Sequence, residues 1–135
     1  MLELAADGNI VGSFNPTTGA YTATSDRRVK KDIETVTDVL PRVSQLNVIK
    51  YHPLQAAPQD PKFFGLIAQE VEPLFPELVS HNAIEGTEED LYTMNHSGFG
   101  VIAIKAIQEQ QHEIRNLQER IAKLEAALAK ITSDN

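Results

Sequence analysis

The sequence predicts an α+β chain, mainly helical, in which a small globular part with short strands leads into a C-terminal parallel trimeric coiled coil. Ile107, Ile114, Ile121 and Leu128 recur every seven residues, and Leu117, Leu124 and Ile131 each follow three residues after one of them. That spacing places the two sets at the a and d positions of a heptad seam. Upstream, short β-forming runs are broken by all seven Pro and all seven Gly residues of the chain. Aromatic residues make up only 6% of the 135 positions. The roughly 100 residues ahead of the seam would bury little surface as a monomer, which favours several chains sharing one core.

Residues 2–24 read as strands and turns. Asp7-Gly8-Asn9 and Pro16-Thr17-Thr18-Gly19 are turn signals, and the runs Ile10–Phe14 and Ala20–Thr24 are rich in β-formers. The stretch is too short to fold alone and reads as the end of a larger β-rich protein. At Ser25 the character changes. Residues 25–50 carry six bases against four acids, whereas residues 51–100 carry Lys62 against eight acids. Ser25 and Asp26 suit the cap of a short helical turn. Ile33–Val36 reads as a short extended piece. Thr37-Asp38 reads as the cap of a helix reaching Leu46, with Pro41 tolerated in its first turn. Val48–Tyr51 and Phe63–Ile67 are strand candidates, and His52–Lys62 is loop. Ala68–Leu74 reads as a helix limited by Pro73 and Pro76. Leu78-Val79 and Leu91-Tyr92 can pair around the acidic run Glu85–Asp90.

The seam spans about three and a half heptads, and a helix from Val101 to Ile131 is roughly 45 Å long. Gln110 is a polar intrusion at the first d position. Ile102 and Ile104 lie off the seam and are expected to pack under the globular part. Gly98 and Gly100 mark the hand-over. Arg120-Ile121-Ala122-Lys123-Leu124-Glu125 resembles the trimerisation motif of short coiled coils, in which Arg120 at g bridges to Glu125 at e of the next helix. Ile at a with Leu at d leans towards two strands, and the motif tips the balance to three parallel strands. The expected organisation is residues 1–24, a globular region 25–97, and the helix 98–135.

Composition excludes several classes of function. There is no Cys, hence no disulfide, thiolate zinc site or cysteine nucleophile. No apolar run reaches the ~20 residues that span a bilayer, and no signal peptide opens the chain. A net charge of −7 argues against nucleic acid as a partner. His52, His81, His96 and His112 lack metal-ligand spacing and read as surface residues, so neither a metal nor a cofactor is expected. Glu88-Glu89-Asp90 lacks the spacing of a calcium loop. Gly98-x-Gly100 lacks the rest of a phosphate loop.

Ser25 and Lys30 are the one pair suited to nucleophilic chemistry. A serine oxygen attacks a carbonyl while a neutral lysine takes its proton, and nearby cations or desolvation favour that neutral form. Arg27, Arg28 and Lys31 are such neighbours. Five residues along an ideal helix leave two side chains ~140° apart, and on a strand they face opposite ways. A turn or a neighbouring subunit must therefore join them. On spacing alone, a capped and solvated basic turn is the better explanation of these residues.

Three ordered blocks carry a resemblance. Ser25-Asp26-x-Arg28-x-Lys30-Lys31-Asp32-Ile33 resembles the opening signature of the intramolecular chaperone auto-processing domains, the peptidase S74 family, which end phage tailspikes and tail fibres. Phe64–Val71 with Pro76–Val79 is similar to that family's Gly-h-h-Ala-Gln-Glu-Val and Pro-Glu-h-Val block, and Ile104–Glu109 to its entry into a coiled coil. The resemblance implies a homotrimer that registers three client chains, lets them wind into a fibre, and then cuts itself off between Thr24 and Ser25. It implies Ser25 as nucleophile and Lys30 as general base. Asp26 and Arg28 would orient the turn. Gln69 and Glu70 would be structural, with contact of Glu70 to the dyad the alternative. Residues 1–24 would be the end of the client fibre. Any arms embracing that client must be short, around His81–Tyr92 or His52–Lys62. Assembly in the host cytoplasm, a client in the virion tail and a released chaperone fragment are implied as well. The competing reading is a non-enzymatic coiled-coil trimerisation or attachment module.

Overall fold

The computed structural model describes residues 2–87 and 89–134, so Glu88 of the acidic run lies outside the described residues. The chain forms two compact units, Met1–Thr35 and Val36–Asn135.

The first unit is a three-stranded antiparallel sheet followed by a turn. Strands β1 (Leu2–Ala6) and β2 (Asn9–Phe14) are joined by Asp7 and Gly8, both at positive φ (50° and 78°). Two such residues make the tight turn whose twist matches paired strands. Strand β3 (Tyr21–Ala23) pairs with β2, with Gly12 opposite Ala23 and Phe14 opposite Tyr21. The Tyr21 ring lies over Gly12, where any side chain would collide with it. Leu4 pairs with Gly12 but Ala5 with Ile10, so Val11 is an extra residue bulged out of β2. After β3, a 3₁₀ turn covers Arg27–Val29. No strand forms at Ile33–Val36.

The second unit is built on one long helix. Its elements are α1 (Leu40–Val43), β4 (Ile49–Tyr51), β5 (Phe63–Gly65), α2 (Ala68–Val71), a 3₁₀ turn at Pro76–Leu78, β6 (Val79–Ala83), β7 (Asp90–Met94) and α3 (His96–Ser133). Strand β4 pairs antiparallel with β5, and β6 with β7, where Val79 faces Met94 and His81 faces Tyr92. Val39, Val71, Phe75, Leu78 and Ala106 form the buried core, with Leu40, Val43, Leu46, Phe99 and Ile102 packed against it. The fold is thus α+β, with short strands and one dominant helix. No helix among the described residues is long and apolar enough to cross a membrane.

Several expectations need correction. Thr37-Asp38 does not cap α1. Asp38 sits at φ 58° and receives the Thr37 hydroxyl, so neither side chain reaches the helix start. Instead one Glu109 oxygen of α3 accepts from the backbone N–H groups of Val39 (2.9 Å) and Leu40 (2.8 Å). A carboxylate on free N–H groups at a helix start satisfies donors that otherwise have no partner. Regular helix ends at Val43, and Leu46 is reached through tighter turn bonds such as Leu46 N–H to the Val43 carbonyl. Helix α3 begins at His96, five residues before Val101, because Asn95 caps it by accepting from Gly98 N–H. Gly98 lies against Leu78 with no space for a side chain. Ile102 packs on the core, but Ile104 is exposed. Two residues along a helix turn by ~200°, so one face cannot hold both.

Glu109→Ala is expected to lower stability by about 2 kcal/mol, because two helix-start donors lose their acceptor. Glu109→Gln keeps an oxygen and should lose less. Denaturant midpoints of the two variants check this, and equal midpoints with the wild type would refute it.

The β6–β7 hairpin is tied to α2 through a histidine. His81 Nε2 hydrogen-bonds the carboxylate of Glu72 at 2.6 Å, Nδ1 lies 3.6 Å from Asp90, and the ring packs on Tyr92. The Glu72 hydrogen bond first, then the charges of Glu72 and Asp90, raise the His81 pKa above its ordinary 6.5. The raised value means the folded state holds the proton more tightly than the unfolded chain. The contribution is complete below 6.5 and fades as pH rises through the folded value. Melting temperature should therefore fall as pH rises through this window, and His81→Gln should flatten that dependence. An unchanged slope in the variant would refute it.

Candidate functional site

The turn at Ser25–Lys30 is made by its own side chains. Asp26, extended at φ −65° and ψ 140°, caps it: Oδ1 accepts from Arg28 N–H at 2.8 Å. The Arg28 guanidinium returns to the same carboxylate as a fork, Nε to Oδ1 at 3.0 Å and Nη2 to Oδ2 at 2.9 Å. That fork and the backbone bond hold the Asp26 carboxyl below the usual carboxylate range, and Asp26 raises Arg28 in turn. Backbone bonds from Val29 N–H to the Asp26 carbonyl and from Lys30 N–H to the Arg27 carbonyl complete the turn.

Folded this way, the chain returns on itself within five residues. Lys30 Nζ donates to Ser25 Oγ at 2.6 Å, and both side chains are exposed. Neither helix nor strand would join this pair, but a single 3₁₀ turn between two extended residues does. Chemically, the contact puts a serine oxygen beside an amine that accepts a proton when neutral. It also lies next to the Thr24 peptide carbonyl, which precedes Ser25 in the chain.

Thr24 continues the line of β3 against β2. Its N–H donates to the Val11 carbonyl at 3.0 Å, and its hydroxyl to the Ile10 carbonyl at 2.8 Å. The sequence offered no signal for this pairing beyond the β-forming run itself. An open groove of about 560 Å³ runs beside it, lined by Thr24, Val29 and the turn end of the β1–β2 hairpin.

The other sequence-predicted residues belong to the second unit. Gln69 and Glu70 lie on α2, both exposed, and Glu70 accepts from Asn47 at 3.4 Å. The seven apolar seam residues line α3 and are 42–69% exposed. Arg120, Glu125 and Gln110 are exposed on the same helix, as is His112.

The family model described as the chaperone of endosialidase matches residues 25–80. That segment is similar to the peptidase S74 family. The S74 match starts at Ser25 and takes in the whole Ser25–Lys30 turn, α2 and the Pro76–Leu78 turn. Sequence similarity reaches beyond the S74 segment. The chain is 30% identical over 124 residues to the long tail fiber protein Gp37 of Enterobacteria phage Ox2, and equally to that of phage M1. These alignments cover 87% of this chain but 48% of each tail fibre protein, so the chain spans about half the length of these relatives.

Proposed function

We propose that the S74 segment and α3 act as a C-terminal intramolecular chaperone, which trimerises and registers a phage fibre or tailspike and then releases itself between Thr24 and Ser25. On this reading residues 1–24 end the client, 25–97 are the processing region and 98–135 form the coiled coil. Assembly takes place in the host cytoplasm, the client stays in the virion tail, and the chaperone fragment leaves.

The single observation that carries the reading is the 2.6 Å contact of Lys30 with Ser25, at the residue where the family match begins. Neutral Lys30 takes the Ser25 hydroxyl proton as Oγ bonds to the Thr24 carbonyl carbon. The tetrahedral adduct collapses, the Thr24–Ser25 C–N bond breaks, and Lys30 returns the proton to the Ser25 nitrogen, which leaves as an amine. Thr24 is now an ester on Ser25 Oγ. Water attacks the ester carbonyl, the C–Oγ bond breaks, and the Ser25 hydroxyl is restored beside a new Thr24 carboxyl group. Asp26 and Arg28 hold the turn and take no part in bond making.

The exposed seam supports the trimer. Ile107, Ile114, Leu117, Ile121, Leu124, Leu128 and Ile131 form an exposed apolar stripe that other chains can bury. Three interleaving β-chains pay a large entropic cost to find register. A local, fast-forming coiled coil holds their ends together at high effective concentration. Cleavage then separates the folded fibre from the element that organised it.

One observation favours the non-enzymatic trimerisation module instead: Ser25 and Lys30 are solvent-exposed, so nothing in a single chain desolvates the lysine. Intact mass measured together with oligomer mass decides. Autoprocessing requires fragments 1–24 and 25–135 in a trimeric sample, and a trimer of whole chains would establish the inert module.

A further inference from the structure

We propose that Thr24 is a positioning residue for the self-cleavage, and that the bulge at Val11 is the device that positions it. The inference rests on the autoprocessing reading above and concerns how the scissile bond is presented.

Successive carbonyls of a regular strand point to opposite edges, so one neighbouring residue cannot bond both. Here Thr24 bonds two in a row. Its N–H takes the Val11 carbonyl and its hydroxyl takes the Ile10 carbonyl. The extra residue makes this possible. Leu4 faces Gly12 and Ala5 faces Ile10, leaving Val11 without a partner on β1 and bending β2 at the point level with Thr24.

The consequence is geometric. Thr24 is fixed at its amide and at its side chain, and the peptide to Ser25 follows directly. On the other side of that peptide, the Asp26–Arg28 fork and the Lys30 contact fix Ser25. The carbonyl and the attacking oxygen are thus held from two directions, one of them the client's own sheet. Fixing reacting groups in this way lowers the entropic part of a barrier. The hydroxyl of Thr24 is needed for one of the two bonds to β2, so an isosteric apolar residue should present the carbonyl loosely. The arrangement also makes the cut depend on β2 having paired in the correct register. A one-residue slip would exchange the carbonyls that Thr24 meets.

The test uses the full 135-residue chain, with cleavage followed in time by intact mass and the oligomer followed by sedimentation. Thr24→Val keeps the shape and removes the donor, and its cleavage should slow by about tenfold or more while oligomer mass and circular dichroism stay as in the wild type. Thr24→Ser restores the donor and should recover most of the rate. A wild-type chain that cuts alongside a Thr24→Val chain that cuts equally fast overturns this inference and leaves autoprocessing intact. A Thr24→Ser chain as slow as Thr24→Val also overturns it, because shape and not the hydroxyl would then be the cause. If the wild-type trimer never cuts, the autoprocessing reading and this one fall together.

Discussion

Ser25→Ala is expected to leave the chain whole, with fragments 1–24 and 25–135 absent from a sample in which the wild type yields them. The Oγ atom forms the ester, so its removal deletes the path, and the rate should drop by about 10³-fold or more. The side chain is exposed and makes one contact, to Lys30, so the variant should fold and assemble as the wild type does. Lys30→Ala removes the base and should slow cleavage by about 10²- to 10⁴-fold. Lys30→Arg should be as slow, because a guanidinium keeps its charge and cannot accept the hydroxyl proton. The substitution pair separates chemistry from electrostatics: a Lys30→Arg chain that cuts normally would show that positive charge, not proton transfer, is what Ser25 needs. A Lys30→Ala chain that cuts at the wild-type rate would remove Lys30 from the mechanism.

The second large effect concerns the seam. Ile121→Asp should convert the proposed trimer to monomer at micromolar concentration, read by sedimentation. Ile121 is 53% exposed in one chain, between Leu117 and Leu124 of the same stripe. Closing three seams would bring three carboxylates into one apolar layer, where desolvation and like charge both oppose assembly. A penalty of several kcal/mol, about 4 or more, exceeds what the flanking layers can absorb. Arg120→Ala should weaken the trimer far less, because the proposed bridge to Glu125 would lie at the wet edge of the layer. A trimeric Ile121→Asp chain would show that the stripe is not the interface. A monomeric wild type would show that no such interface forms.

Legibility in the sequence followed the range of the interaction. The heptad of α3, the Asp7-Gly8 turn and the existence of a hairpin around the acidic run are periodic or local and legible from neighbouring residues, but the hairpin's register is not: Val79 pairs with Met94, and Leu91 and Tyr92 pair with Asn82 and His81. The Asp26 cap was readable for the same reason. The Ser25–Lys30 contact could be posed but not placed, because it depends on a turn that matches neither regular period. The cap of α1 was misread because its true partner, Glu109, stands 70 residues from Val39. Thr37 and Asp38 have the right chemistry, yet the positive φ of Asp38 turns them away from the helix. His81 looked like a free surface histidine because Glu72 and Asp90 meet it only once the hairpin has packed on α2. The bulge at Val11 has no sequence marker at all. It emerges from the pairing of β1 with β2 on one side and β3 on the other.

Helix α3 has two duties that alternate along the same turns. Ala106 is part of the core, Ile107 begins the apolar stripe, and Glu109 accepts from the backbone N–H groups that open α1. A helix used this way cannot be ordered for one duty and loose for the other. In the proposed trimer, folding of the second unit and closure of the seam would be one linked equilibrium governed by mass action, in which the ordered population grows with protein concentration. On the proposed function, three chains tethered to one fibre would supply that concentration themselves. A fragment released as proposed would have no tether, and dilution alone would then weaken what tethering had made stable.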